Sequence, residues 1–415
     1  MATPTHHPIF GVHMPELTIR KIIGIFPGAK MKAIRELDKG KSYNNRIYFL
    51  TISQHRPSSL FGSAAAEEVE VVLKANGRYF GADKIQNEVG SLRLMQQHCP
   101  SIATPRVLAW SEDGTKVVMA DPLEDEPKTV NLDTEATEEN RSHGGWILMS
   151  RVPGESVSQF NLDADAMKDV MLQLADIVTQ WRTQIPPQKL IGNLQHRSSK
   201  SESEISVGVN NDELNMVIRG ILLDGIKITE PLCRPDQYHK IKIEQKIKEI
   251  QKAETHAPNR HLVPKLQRLL DKTLPRLRMT ASDTDAPRYV FTHYDFSPRN
   301  VLISESRKIT GIVDFEWAGF FDEIDEFLND YSANLEDWGD APYQAYLGRL
   351  EQNGIKTPLR GIQKNVWEKA RCLDRLLENI APWWLPGGKE GAELEAELQK
   401  AADIVTESIA KLESD

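Results

Sequence analysis

Two short segments near the three-quarter point restrict this chain more than anything else in it. Residues 291–304 read Phe-Thr-His-Tyr-Asp-Phe-Ser-Pro-Arg-Asn-Val-Leu-Ile-Ser, and residues 312–319 read Ile-Val-Asp-Phe-Glu-Trp-Ala-Gly. The apolar runs Asn300–Ile303 and Ile309–Asp314 flank the turn Ser304–Lys308, so they predict a pair of short strands. Any fold that accepts this pattern must set His293, Asp295 and Asn300, from one loop, beside Asp314 at the end of the following strand. Phosphoryl transfer needs this set of groups. One carboxylate takes the proton of an attacking hydroxyl, while a second carboxylate and an amide oxygen hold Mg²⁺ on the phosphates. The spacing H-x-D-x-x-x-x-N therefore assigns Asp295 as proton acceptor and Asn300 and Asp314 as metal ligands, with His293 bracing the loop. Two acids and an amide also suit a lone Mg²⁺ or Ca²⁺ site, so the segment alone leaves that alternative open.

A phosphate-transfer site makes a demand upstream, and the sequence meets it. Val71-Val72-Leu73-Lys74 reads as a strand carrying a phosphate-binding lysine. Alternation puts Lys74 on the face of Val72, which then lines an adenine slot. Fourteen residues on, Glu88 lies in a predicted helix, Asp83–His98, within reach of Lys74 as an orienting ion pair. The backbone of Ser150-Arg151-Val152 is placed to meet an adenine edge, and Arg151-Val152-Pro153-Gly154 breaks the chain between two lobes.

The rest of the chain fits that division. Strands are predicted at Arg46–Ser53, Val69–Ala75 and Trp146–Ser150, with a surface loop at Arg56–Ala66. The stretch 111–140 holds ten acids and two bases and reads as a mobile acidic loop or hairpin. Beyond the break, an apolar stripe from Met167 to Trp181 is helical and stops at Pro186-Pro187. A closing helix carries Leu394, Leu398, Ala401, Val405, Ile409 and Leu412. The expectation is an α+β, bilobal architecture: a nucleotide lobe over residues 1–149 and a mostly helical lobe over 150–415. The second lobe contains the catalytic loop 291–319 and a helical acceptor-binding insert at about 190–285.

Charge and cysteine exclude other classes. Fifty-one Lys+Arg against 60 Asp+Glu leave a net charge of −9, which disfavours phosphate-backbone binding and hence nucleic acid. No apolar run has the length of a membrane helix. Three widely separated cysteines make neither a zinc motif nor a redox pair and point to a reducing, cytoplasmic setting.

On the residues now quoted, the chain resembles the aminoglycoside phosphotransferase (phosphotransferase enzyme) family of the protein-kinase-like superfamily, in its broad fungal branch. The likeness spans about residues 40–340. Its strongest parts are His293–Asn300 and Ile309–Gly319, and Asn87–Arg93, Pro105–Trp110 and Ala381–Leu385 are softer matches. The resemblance implies a bilobal fold, ATP with Mg²⁺, and transfer of the γ-phosphate to a hydroxyl of a small molecule. It implies the base role for Asp295, the metals for Asn300 and Asp314, and the nucleotide phosphates for Lys74.

The departures are informative. Asp38-Lys-Gly-Lys-Ser-Tyr-Asn-Asn45 has one glycine, so phosphate would rest on backbone N–H groups near Gly40 and Ser42. Gly319-Phe-Phe-Asp-Glu323 stands where many relatives carry Gly-Asp-Pro. Phe315-Glu316 replaces the Phe-Gly of protein kinases, and no Ala-Pro-Glu follows. A small-molecule acceptor is thereby favoured over an atypical protein kinase, and a catalytically silent nucleotide-binding scaffold is the remaining alternative. Seven acids and no base over 314–330 suggest a cationic acceptor. Trp338, Tyr343, Trp383 and Trp384 are candidate stacking partners for it. No oligomeric state is predicted.

Overall fold

The computed structural model describes residues 9–38, 41–54, 68–78, 81–120, 128–132, 145–196, 216–218, 222–223, 226–228, 232–277, 288–328, 338–382, 385 and 389–414. The loop expected at Arg56–Ala66, Gly40, Trp383 and Trp384 lie outside them.

The first lobe is an antiparallel sheet with a helix on each side. In chain order it comprises α1 (Glu16–Gly24), β1 (Ala29–Glu36), β2 (Asn45–Gln54), β3 (Glu68–Asn76), α2 (Ala82–His98), β4 (Val107–Ser111), β5 (Lys116–Met119), β6 (Lys128–Asn131) and β7 (Trp146–Ser150). The strands run in the order β1-β2-β3-β7-β4-β5-β6. Alternation in β2 buries Tyr48, Leu50 and Ile52 beneath Ile19, Ile22 and Ile23 of α1. The opposite face, with Ile147 and Met149 of β7, packs on Ile85, Val89 and Leu92 of α2, and that core continues into the second lobe.

Of the two readings of the acidic stretch 111–140, its described part takes the hairpin, at the edge of the sheet: β5 pairs with β4, and β6 with β5. Val117 and Met119 are buried on one face, a two-residue alternation that the surrounding acids obscure in the sequence.

The second lobe contains β8 (Glu155–Ser156), α3 (Ala164–Gln184), β9 (Gly192–His196), β10 (Met216–Ile218), β11 (Leu222–Leu223), β12 (Ile226–Lys227), α4 (Pro235–Lys252) and α5 (Val263–Arg268). It continues with β13 (Val290–Thr292), β14 (Val301–Ile303), β15 (Ile309–Ile312), β16 (Gly319–Phe321), α6 (Asp325–Leu328), α7 (Asp340–Gln352), α8 (Lys364–Ile380) and α9 (Gly391–Ser414). The segment 190–285 is therefore not a purely helical insert. Its start, β9, is a strand of the sheet β10-β9-β16-β13. Gly-Asn-Leu-Gln-His lacks β-branched residues. Its pairing rests on tertiary hydrogen bonds from Asn193 Nδ2 to the carbonyls of Trp317 and Ala318, at 3.1 and 3.0 Å.

Two local features aim the catalytic loop. Gly154 adopts φ +106°, and a Cβ there would lie 2.8 Å from the Ile303 carbonyl oxygen. Only glycine lets the chain turn this closely into β8, which pairs with β14 immediately after the loop. In α3, Asp163 caps the first turn by accepting the Ala166 N–H at 2.8 Å, and Trp181 on its buried face packs against Phe296. Trp338 and Tyr343, the candidate stacking residues within the described set, are core residues instead, both buried in the cluster that contains Phe296.

Candidate active site

The strand pair β14–β15 carries the site. Pairing Val301 with Ile312 sets Asn300, just before β14, next to Val313, whose N–H donates to the Asn300 carbonyl at 3.0 Å. Asp314 follows in a left-handed turn at φ 70°, ψ 56°. Asp is among the few residues that tolerate this region, and the turn swings its carboxylate toward the first lobe. Tyr294 also has positive φ, 65°. For an aromatic residue this is strained backbone, held by ring contact with Phe321 at 4.6 Å and by a hydroxyl–hydroxyl hydrogen bond to Tyr238.

His293 is fully satisfied within the loop. Its Nε2 lies 3.0 Å from the Val313 carbonyl and its Nδ1 3.3 Å from the Asp295 N–H. Those partners fit the neutral tautomer with the proton on Nε2. Burial pushes its pKa down to about 4, so it is built to brace and not to titrate. Asp295 is nearly buried, and burial, followed by the repulsion of Asp314, pushes its carboxyl up to about 7. Arg299 Nη2, 3.1 Å away, opposes that rise. A base with a pKa near 7 is matched to taking a hydroxyl proton at neutral pH. Asn300 Nδ2 donates to the Asp295 carbonyl at 2.8 Å, which leaves its side-chain oxygen for a cation.

Lys74 completes the arrangement from the other lobe. Its Nζ is 2.7 Å from Glu88 Oε2, 2.5 Å from Asp314 Oδ1 and 2.7 Å from Glu316 Oε2. Burial alone would lower its pKa, but the three carboxylates outweigh that and hold the ammonium charged. Carboxylate oxygens of Glu88, Asp314 and Glu316 lie within 4.8 Å of one another. Asp314, 29% exposed at its side chain, and Asn300 line the same cleft and offer it the hard oxygen donors that suit Mg²⁺ chemically.

The residues assigned in the sequence to nucleotide, metal and proton transfer line one interlobe cleft of about 1570 Å³: Ser42, Val72, Lys74, Glu88, Ser150, Val152, Asp295, Asn300 and Asp314. His293 sits directly behind it. One expectation needs adjustment. The Ser150 N–H donates to the Arg106 carbonyl at 2.8 Å, so it has no N–H to offer an adenine. The sequence reading missed Lys84 and Asn45, which contact Glu316, and Arg299. Lys84 carried a usable signal: it lies one helical turn before Glu88 and so shares its face of α2.

The fold is two-lobed and kinase-like, with a lysine, carboxylates and an amide meeting in its cleft. The phosphotransferase enzyme family matches residues 78–361, and the chain belongs to that family. Comparison with curated proteins gives no match. Among solved structures, the ADP-bound aminoglycoside phosphotransferase APH(2'')-Ib aligns with a TM-score of 0.52 at 12% identity, over 95% of this chain and 99% of that one. The gentamicin complex of APH(2")-IIa gives 0.48 at 12% identity, over 95% and 97%. A type I macrolide 2'-phosphotransferase gives 0.46 at 13%, over 95% and 98%. At these identities the first likeness is one of fold. Among the described residues, no helix is long and apolar enough to cross a membrane.

Proposed function

We propose that the protein is an ATP- and Mg²⁺-dependent kinase that moves the γ-phosphate to a hydroxyl of a small molecule. The observation that carries this reading is the convergence of Lys74, Asp295, Asn300 and Asp314 on one cleft although they span both lobes. In it, residues 1–149 bind the nucleotide and residues 150–415 the acceptor. Lys74 neutralises phosphate charge while Glu88 fixes its direction. Val72, Val152 and Leu302 line an apolar slot for the base. Asn300 and Asp314 would hold Mg²⁺, which when bound spreads and neutralises the charge of the transferring phosphoryl group. Asp295 orients the acceptor hydroxyl and takes its proton, with the pKa near 7 letting the proton leave again between turnovers.

The acceptor end supports a cation-bearing alcohol. Asp325, Asp374 and Glu378 line it against Lys242, leaving a negative excess that attracts an amine and repels an acid. Three cysteines free of disulfides accord with a cytoplasmic protein.

The test is phosphorylation of a hydroxylated-metabolite library by wild type and Asp295→Ala in parallel. Product from wild type alone is the expected result. MgATP binding without turnover on any metabolite would indicate the silent scaffold, and phosphate on protein Ser or Thr alone would indicate a protein kinase.

A further inference from the structure

Glu316 is not among the groups that phosphoryl transfer requires, yet it is among the most enclosed charges in the molecule, 1% exposed. Its Oε2 lies 2.7 Å from Lys74 Nζ and 3.2 Å from Lys84 Nζ, and it accepts a hydrogen bond from Asn45 Nδ2 at 2.6 Å. Its Oε1 accepts from Asn44 Nδ2 at 3.1 Å. Lys84, equally buried, donates in turn to Asn45 Oδ1 at 2.8 Å. The backbone of Glu316 is held as well: its carbonyl accepts Asn87 Nδ2 at 2.8 Å, while Asn87 Oδ1 takes the Leu194 N–H of β9 at 2.7 Å.

One residue thus ties together three separate pieces: the loop entering β2, helix α2, and the turn that carries Asp314. A buried carboxylate with two ammonium and two amide partners is compensated, and its position is over-determined. Lys74 gains from this. Lysine is a point charge on a flexible stem, and a single carboxylate does not fix its direction. Here two buried carboxylates, Glu88 from α2 and Glu316 from the turn, grip the ammonium from different elements. Asp314, 29% exposed at its side chain against 3% and 1% for the other two, faces the cleft. The ammonium therefore keeps its buried partners when Asp314 is engaged elsewhere. Asn44 and Asn45 line the same cleft, so the clasp also pins the loop above the phosphates, whose sequence has one glycine.

We propose that Glu316, paired with Lys84, is a positioning residue for nucleotide binding. It fixes Lys74 and the Asn44–Asn45 loop over the cleft and holds helix α2 against the second lobe. Helix α2 is thereby kept in its working position by side-chain contacts built into the fold. This inference rests on the phosphoryl-transfer reading given above.

The experiment uses the full chain as wild type, Glu316→Gln, Lys84→Met and the double variant Lys84→Met/Glu316→Gln. It measures thermal midpoint, calorimetric affinity for MgATP, and hydrogen exchange of the α2 amides. Each single variant leaves an uncompensated buried group and should lose stability, while the double variant removes both charges and should regain much of it. MgATP affinity should be about tenfold weaker in Glu316→Gln and remain so in the double variant, the scale of one lost charge-assisted hydrogen bond. The α2 amides should exchange faster in both. Recovery of wild-type MgATP affinity in the double variant together with its thermal midpoint would overturn the positioning role. So would unchanged α2 exchange. A wild-type chain that binds no MgATP would sink the proposed function instead, and the clasp would then be judged on α2 exchange alone: faster supports it, unchanged refutes it.

Discussion

Lys74 Nζ and Asp314 Oδ1, 240 residues apart in sequence, lie 2.5 Å from each other. One comes from the interior strand β3 and the other from a left-handed turn in the opposite lobe. Their contact closes the back of the cleft and puts one ammonium among three carboxylates.

Removing that ammonium should therefore be severe. Lys74→Met leaves Glu88, Asp314 and Glu316 facing one another without their shared cation. The expected loss is about 3–5 kcal/mol of stability, the scale for breaking a buried pair from one side, together with MgATP binding. Urea unfolding and calorimetry measure the two. Added Mg²⁺ should recover part of the stability by replacing the lost charge.

Asp295 gives a pH signature in the nucleotide-free protein. Its carboxyl is raised to about 7 in the fold, against about 3.9 for an unfolded aspartate. The folded state then holds the proton longer, so the stability it contributes is complete below pH ~4 and is lost as pH rises through ~7. Asp295→Asn should match wild type in stability near pH 4 and exceed it at pH 8. With Asp295 in the base role we propose, turnover should rise through the same upper range in wild type. Equal stabilities at pH 8 would contradict the buried-carboxyl account.

His293 should act in the opposite sense. Its folded pKa of about 4 lies below the unfolded value near 6.5, so the unfolded chain binds the extra proton first. Stability is complete above pH ~6.5 and falls as the pH drops through 4. His293→Gln should flatten that part of the pH–stability curve and lower kcat, because the Asp295 N–H loses its Nδ1 acceptor. Nucleotide affinity should change little.

Gly311 tests the hinge through sterics alone. A Cβ there would meet Val152 Cγ1 at 2.3 Å and the Ala103 carbonyl oxygen at 2.8 Å. Gly311→Ala should cost about 1–3 kcal/mol by overpacking and displace Val152, weakening nucleotide binding. Gly348→Ala, inside α7 with open space around the added methyl, is the control: it should leave nucleotide binding unchanged and raise stability by about 0.5–1 kcal/mol through helix propensity.

Arg182 and Glu326 form an ion pair inside the second lobe, both nearly inaccessible, with Nε 2.9 Å from Oε2. Arg182→Met should cost about 3–5 kcal/mol because the glutamate is stranded, and adding Glu326→Gln should return much of it. A thermal-melt cycle of the four proteins checks this. Additive losses would show that the two side chains are not coupled.

The local parts of this architecture were legible in the residues. Alternation in β2 and β3, the 3.6-residue stripes of α2 and α3, and the turn between β14 and β15 are all short-range patterns; β2, β3 and α2 formed within a residue of their expected bounds, and α3 extends three residues beyond its stripe at each end. Two elements are harder to read. The Lys-Val-Val-Met strand β5 pairs locally with β4 but its alternation is masked by surrounding acids, whereas β9 is decided by distant chain, with Asn193 reaching across to the carbonyls after Phe315. Within the site, the residues to which we assign the chemistry follow fixed spacings and could be named. The residues that hold them, Glu316, Lys84, Asn45 and Arg299, could not be assigned a role, even where they fall inside a motif, because that role depends on what they face.

Sequence by itself determined which groups this protein can bring to a reaction: a lysine on a strand, a glutamate one helix later, and a carboxylate–amide–carboxylate set around one hairpin. Short-range backbone geometry fixes those relationships, and any sequence preserving the spacing preserves them. Only the tertiary structure decided that Lys74 would share Asp314 and Glu316 with Glu88, that Asp295 would be buried deeply enough to titrate near neutrality, and that α2 would be clasped to the second lobe. Those outcomes come from desolvation and from charges brought together across hundreds of residues, and both exist only once the lobes have packed.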